Sequence, residues 1–167
     1  MDKKVVSRGK DYTFMLPMFK ELVLQTGIKA GGNLIFAGCP GPCYSFATYF
    51  SFGLRDLNLN LYYAPESDIN HLHRLEYLEN VGMVATRKAA PVRAKVIVLM
   101  SGLCRIPFEQ TKKFVSEALA SDGIIIGESV APGIFEAQGW DKEIPFDALF
   151  EFSIKSPTSY KVGKQIG

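Results

Sequence analysis

The stretch Asn33-Leu34-Ile35-Phe36-Ala37-Gly38, running into Cys39-Pro40-Gly41-Pro42 and then Cys43-Tyr44-Ser45-Phe46, decides the fold. Its first six residues form an apolar run of strand length, with no polar alternation to mark a solvent face. Such a run suits a strand buried on both sides. The Pro and Gly residues that follow force a sharp turn. Beyond the turn, Phe46, Tyr49, Phe50, Gly53, Leu54 and Leu57 recur at the spacing of one helix face. Gly53 on that face predicts close packing on a sheet.

Outward from this unit the alternation repeats. Upstream, Thr13 reads as an N-cap, with Phe14, Met18, Leu22, Phe19 and Val23 at helical spacing and Gly27 as the stop. Downstream, residues 60–64 read as a short strand ending at Pro65. Residues 66–94 leave two readings open: a hairpin around Asn80, or a helix followed by a strand. Val96-Ile97-Val98-Leu99 and Ile124-Ile125-Ile126 are further buried strands. Between them a helix begins at Pro107, carries Phe108, Val115 and Leu119, and stops at Asp122-Gly123. A short helix at 133–137 and a strand near 148–154 complete the pattern. Apolar strands alternating with amphipathic helices predict a three-layer α/β/α sandwich. It would be Rossmann-like, with a mainly parallel sheet of about 4–6 strands and right-handed crossovers.

The 167 residues suit one domain, 1–167, with 47% apolar and 22% charged side chains. The formal charge of +2 is unevenly spread. Residues 1–10 and 155–167 are basic ends, read as mobile. Between residues 11 and 154 lie 12 basic and 16 acidic side chains, so the body is mildly acidic. That distribution argues against a nucleic-acid partner, which calls for positive charge on a folded face. Arg87, Lys88, Arg93 and Lys95 around Pro91 form the one interior basic cluster, expected to be a solvated loop. No apolar run is long enough to span a bilayer, and the first residues lack a secretory h-region. With three cysteines, an odd count, the expectation is a reduced, cytoplasmic protein.

In open α/β sheets, ligands collect outside the carboxyl ends of the strands. Three loops should reach that edge: Gly38–Cys43, Ser101–Arg105 and Gly127–Ser129. If the first strand is central, the first two flank one crevice and all three cysteines converge there. The first loop lacks both the Gly-Lys-Ser/Thr of a P-loop and the third glycine of a dinucleotide fingerprint. Pro40 and Pro42 also remove two N–H donors. What remains for an anion is the helix N-terminus, with the N–H groups of Cys43, Tyr44 and Ser45 and a clamp from Arg105. The leading expectation is therefore a small anionic or nucleotide-like ligand. Its binding residues would be Cys39, Gly41, Tyr44, Ser45, Ser101, Gly102, Cys104, Arg105 and Ser129.

Two rival classes stand beside it. Cys43 at a helix N-terminus, with Cys39 or Cys104 as partner, could serve a redox or metal-binding enzyme. Against this, Cys-x-x-x-Cys is neither the redox nor the zinc spacing, no fourth ligand is in view, and buried cysteines commonly just fill space. Glu128, directly after a buried strand, is the candidate general acid or base, with a loop or capping carboxylate as the plain alternative. His71 and His73 would share one face of a strand, but nothing completes a metal site, and no metal is assigned. Trp140 would cover the last strand or stack on a planar ligand. The third class is a non-catalytic homodimer with exposed aromatics such as Tyr62 and Tyr63 at its interface. The residues name no cofactor, and they do not decide between an enzyme and a binding module.

Gly38-Cys39-Pro40-Gly41-Pro42-Cys43, the Phe46-Ala47-Thr48-Tyr49-Phe50 helix and Gly139-Trp140-Asp141-Lys142-Glu143-Ile144-Pro145-Phe146-Asp147 together resemble an uncharacterised, mainly methanogen family of archaea. That family is known as domain of unknown function 2124, and the likeness covers most of residues 13–154. The resemblance implies an archaeal cytoplasmic protein and brings no established activity or catalytic residues.

Overall fold

The computed structural model describes residues 3–154. Among these described residues, four α-helices and seven strands follow in the order α1 (Met15–Gln25), β1 (Asn33–Gly38), α2 (Pro42–Gly53), β2 (Asn60–Pro65), β3 (His73–Leu78), β4 (Gly82–Lys88), β5 (Ala94–Met100), α3 (Phe108–Ala118), β6 (Leu119–Ser129), α4 (Ile134–Ala137) and β7 (Ala148–Glu151). One sheet holds all seven strands in the order β4-β3-β2-β1-β5-β6-β7. Its body, from β2 through β7, is parallel, and β3 and β4 are added antiparallel at one edge. The expected α/β sandwich is present, with more strands than the four to six anticipated. The surplus comes from residues 66–94, which form the hairpin, with Asn80 left-handed in its turn.

The sheet separates two apolar layers. Leu34, Phe36, Val96, Val98, Met100 and Ile126 point toward α1 and α2, while Ile35, Ala37, Ile97, Leu99 and Ile125 point toward α3 and α4. Burial on both faces is why these strands read as continuous apolar runs. Tyr62 and Tyr63 are buried in opposite layers, at 5% and 4% exposure, so they are not the exposed interface aromatics expected of them.

The helices differ from expectation in which stripe they bury. In α2 the sheet-facing residues are Cys43, Ala47, Phe50, Ser51 and Leu54. Small side chains at 43, 47 and 51 lie in this buried stripe, and at its start Cys43 closely approaches Gly38 of β1. The larger Phe46 is half-buried at the flank, where its ring meets Phe50 and Phe152, and Tyr49 is largely exposed. Gly53 makes its close approach to Leu16 of α1, not to the sheet. At the start of α1, the capping side chain is Asp11, which accepts from the Thr13 amide at 2.9 Å and closes a 3-10 turn ahead of the helix. Phe19 and Val23 carry that helix's buried stripe, and Phe14 is exposed.

Helix α3 ends at Ala118, four residues before the Asp122-Gly123 stop signal, with Thr111, Phe114 and Ala118 buried. The chain enters β6 directly. Its register jumps from Ala94↔Leu119 to Val96↔Ile124 across a bulge. Arg93 holds the Leu119 carbonyl and Lys95 pairs with Asp122, so half of the basic cluster pins this bulge. Trp140 is core, packed on Phe108 and Phe135 at 4% exposure. At the amino end, Lys3 is paired with Glu136 and Glu151, which anchors that residue of the basic arm on the body. The basic end at 155–167 lies outside the described residues.

Candidate functional site

Strand β1 lies between β2 and β5, so the chain winds outward in both directions from it. The crevice at the carboxyl ends of β1 and β5 is the switch point where open α/β sheets bind ligands. The loops after Gly38 and after Met100 do flank it, as a central first strand requires. In this protein the crevice is packed with sulfur. The Cys39 thiol donates to the Cys43 sulfur at 3.1 Å. A Cβ on Gly102 would overlap both sulfur atoms, and one on Gly38 would sit 2.5 Å from the Cys43 Cβ and 3.1 Å from the Met100 Sδ. Both glycines are therefore demanded by close approach.

Cys104 does not join the pair. It packs against the opposite apolar layer, beside α3 and α4, while Cys39 and Cys43 belong to the layer under α1 and α2. The expected convergence of three cysteines is thus corrected to two. Beyond the end of β5 the 3-10 turn at 101–105 carries Leu103 into the second layer, and Cys104 packs there with it. Among the described residues no group of three His, Cys, Asp or Glu side chains is arranged to hold a metal ion. His71 ends a 3-10 turn with its ring on Asp68 at 2.6 Å, whereas His73 opens β3, so the two do not act together.

Cys43 does not have the lowered pKa that a helix N-terminus alone would give. Burial pushes Cys43 up to about 12, with the Cys39 thiol adding to the effect. The backbone amides of Cys39 and Gly102 hydrogen-bond the Cys43 sulfur and pull the other way without prevailing. Burial likewise lifts Cys104 to about 11. Cys43 is a protonated thiol at neutral pH, so it is not the ready thiolate nucleophile that its position suggested.

Glu128 is 2% exposed at the end of β6, in register between Met100 and Phe150. Its side chain lies on the same face as Cys43, two strands from Gly38, on the order of 10 Å at the usual strand spacing. Its Oε1 has no hydrogen-bond partner, and burial raises the carboxyl to about 8. A buried carboxyl left protonated at neutral pH can donate a hydrogen bond or take part in proton transfer. The Ser129 hydroxyl, by contrast, is fully engaged with the Ala131 backbone, accepting at 2.9 Å and donating at 2.8 Å.

Beside the sulfur-filled crevice, toward β2, an open cleft of about 350 Å³ lies between the Pro40-Gly41 turn and the β3–β4 hairpin. Tyr44, Tyr63, Pro65, His73, Ala85 and Thr86 complete its lining. The two tyrosine rings meet edge to face at 5.4 Å between centroids. The Tyr63 hydroxyl donates to the Cys39 carbonyl at 2.6 Å, and the Tyr44 hydroxyl accepts from the Ala85 amide at 2.9 Å. Tyr44 keeps its own hydroxyl hydrogen free for a further acceptor. Gly41, at a φ of 136°, precedes α2, whose N-terminus no side chain caps.

Of the sequence-predicted ligand residues, Gly41 and Tyr44 line this cleft, while Cys39, Gly102 and Ser101 belong to the adjoining crevice and its turn. Ser45 faces a separate apolar groove beside Tyr12 and Tyr49, and Arg105 is an exposed residue outside the cleft lining. Tyr63, His73, Ala85 and Thr86 line the cleft without having been among the residues the sequence pointed to. Nothing in a local motif marks the hairpin as a cleft wall, since its position follows from strand order.

The fold is shared with a crystal structure of a protein of unknown function from Methanothermobacter thermautotrophicus. The match has a TM-score of 0.83 at 24% identity, over 96% of this chain and 100% of that one. An uncharacterized protein of Methanocaldococcus jannaschii is 29% identical over 159 residues, 93% of each chain. A second, from Methanothermobacter thermautotrophicus, is 29% identical over 136 residues, 79% of this chain and 86% of the relative. The family described as "Uncharacterized protein conserved in archaea (DUF2124)" matches residues 10–155, and the chain belongs to that family.

Proposed function

We propose that this protein binds a small anionic or nucleotide-like molecule in the cleft bounded by Tyr44, Tyr63 and His73. The observation that carries the reading is the cleft itself, about 350 Å³ at the carboxyl end of β1 and β2. That volume is within the range of small-ligand sites, and its place beside the switch point is where such sheets bind ligands. Its chemistry suits a planar group with an acceptor edge. The Tyr44 ring offers π surface, Pro40 and Pro65 offer apolar walls, and the Tyr44 hydroxyl and His73 ring offer hydrogen bonds. The positive end of the α2 dipole adjoins the turn and favours a negative group there.

The test is thermal stabilisation by a panel of mononucleotides and phosphorylated cofactors, on the wild-type chain and on Tyr44→Phe and Arg105→Ala. A responding compound should lose effect in Tyr44→Phe, which removes one hydroxyl and keeps the ring. Arg105→Ala should respond like wild type, because that side chain lies outside the cleft. Loss of the response in Arg105→Ala with retention in Tyr44→Phe would move the site away from the cleft.

A further inference from the structure

We propose that Cys39 and Cys43 form a reversible intramolecular disulfide, making the switch point a site of oxidative modification next to the cleft. Three observations converge. The sulfurs are already in contact at 3.1 Å, so bond formation needs them to close by only about 1 Å. Gly102 gives them their shared space, since any side chain there would occupy it. The two thiols also differ in access: Cys39 is half-buried and Cys43 is buried. Such an arrangement gives a pair an order of reaction, with the more accessible sulfur meeting the oxidant and the buried one resolving.

The oxidant class is a small-molecule disulfide. The Cys39 thiol gives its proton to water, and the thiolate attacks one sulfur of R–S–S–R, giving a Cys39–S–S–R mixed disulfide and releasing RS⁻. The Cys43 thiol passes its proton to that thiolate, which leaves as RSH. The Cys43 sulfur then attacks the Cys39 sulfur and expels the second RS⁻, which takes a proton from water. The protein dithiol is oxidised by two electrons, and the small disulfide is reduced to two thiols. Burial keeps Cys43 protonated until a base arrives beside it, so resolution waits for the first step. In a reducing compartment such a bond is transient and serves as a signal of oxidant.

Closing the bond also bears on the neighbouring cleft. The Cys39 carbonyl holds the Tyr63 hydroxyl, and Pro40 and Gly41 follow directly in the chain. A shift of the Cys39 backbone is transmitted to both walls. This consequence concerns the shape of the cleft and does not require that a ligand bind there.

The experiment treats native protein with hydroxyethyl disulfide, denatures it under acid quench, alkylates the free thiols and reads the intact mass. Wild type and Cys104→Ser should each lose the two thiols of the pair, and the surviving thiol in wild type should map to Cys104. Cys43→Ser should stop as a hydroxyethyl adduct on Cys39. In parallel, the amide resonances of Tyr63 and Ala85 should shift on oxidation and return with reductant, with no ligand present. Wild type retaining three alkylatable thiols, holding a stable adduct on Cys39, or pairing through Cys104 would each overturn the proposal. Failure of every ligand in the thermal panel would leave these masses unchanged, so the two readings fail separately.

Discussion

The Tyr63 hydroxyl donates to the Cys39 carbonyl at 2.6 Å, so a single hydrogen bond joins β2 to the turn that carries the first thiol. The phenol is buried, and burial together with the neighbouring thiols drives its pKa upward, so it stays protonated and able to donate. The bond matters because the turn has few others available: Pro40 and Pro42 supply no amide hydrogens.

Replacing this residue by phenylalanine keeps the ring and removes the donor. The Cys39 carbonyl then loses its phenol partner in a half-buried place, at a cost of about 1–3 kcal/mol. Urea denaturation of Tyr63→Phe should show that loss as a lower midpoint with unchanged slope. The Cys39 thiol should also alkylate faster, because its turn is released. A variant as stable as wild type would show that the turn is held by packing alone.

Gly102 is predicted to be intolerant for a specific reason. An alanine there meets both sulfurs, so Gly102→Ala should be destabilised by about 1–3 kcal/mol, as for overpacked sites. Removing one sulfur by Cys39→Ala in the same chain should restore part of that loss. Cys104→Ala should restore none, because Cys104 packs in the other layer. Equal effects of the two cysteine substitutions would contradict the geometry of the pair.

Glu128 gives stability a pH dependence whose sign is fixed. Its folded-state pKa, about 8, lies above the 4.5 of an ordinary glutamate, which the unfolded chain keeps. Below pH 4.5 both states are protonated and the group contributes no dependence. As pH rises from there to 8 the unfolded state releases its proton first, so stability falls, and it levels off above 8. The full drop is on the order of 5 kcal/mol at most, at about 1.4 per pH unit. Glu128→Gln should flatten the profile across this interval, as measured by denaturation midpoints at several pH values. An unchanged slope in that variant would assign the dependence to other groups.

Much of the architecture was legible because its strands are buried on both faces. Runs such as Leu34–Ala37 and Val96–Met100 have few other stable destinations, and the bounds of β1 and the start of α2 follow from the apolar run and the Pro-Gly-Pro turn; Leu57, read on the same helix face, falls in a 3-10 turn beyond Gly53. The hairpin was less legible. Its strands are only half-buried and mix Arg74, Glu76 and Thr86 with Leu75 and Met83, so neither period dominates. Which helix residues face the sheet was also obscured. In α2 the aromatics dominate hydrophobic periodicity, yet the small residues at 43, 47 and 51 are among those buried. For the site, sequence placed two of the loops together but not the partners across them. That Cys104 turns into the other layer, and that His73 and Thr86 face Tyr44, depends on strand order and on the antiparallel return of β3 and β4.

The central claim is that the Tyr44–Tyr63 cleft receives a ligand, and ring NMR tests it most directly. Aromatic resonances of Tyr44 and Tyr63 should be assigned and followed while a mononucleotide from the stabilising set is titrated in. The account predicts saturable shifts at Tyr44, Tyr63 and His73, with Tyr12 and Tyr49 of the opposite groove unmoved. Saturable shifts confined to Tyr12 and Tyr49, or none at the cleft for any mononucleotide, would contradict it.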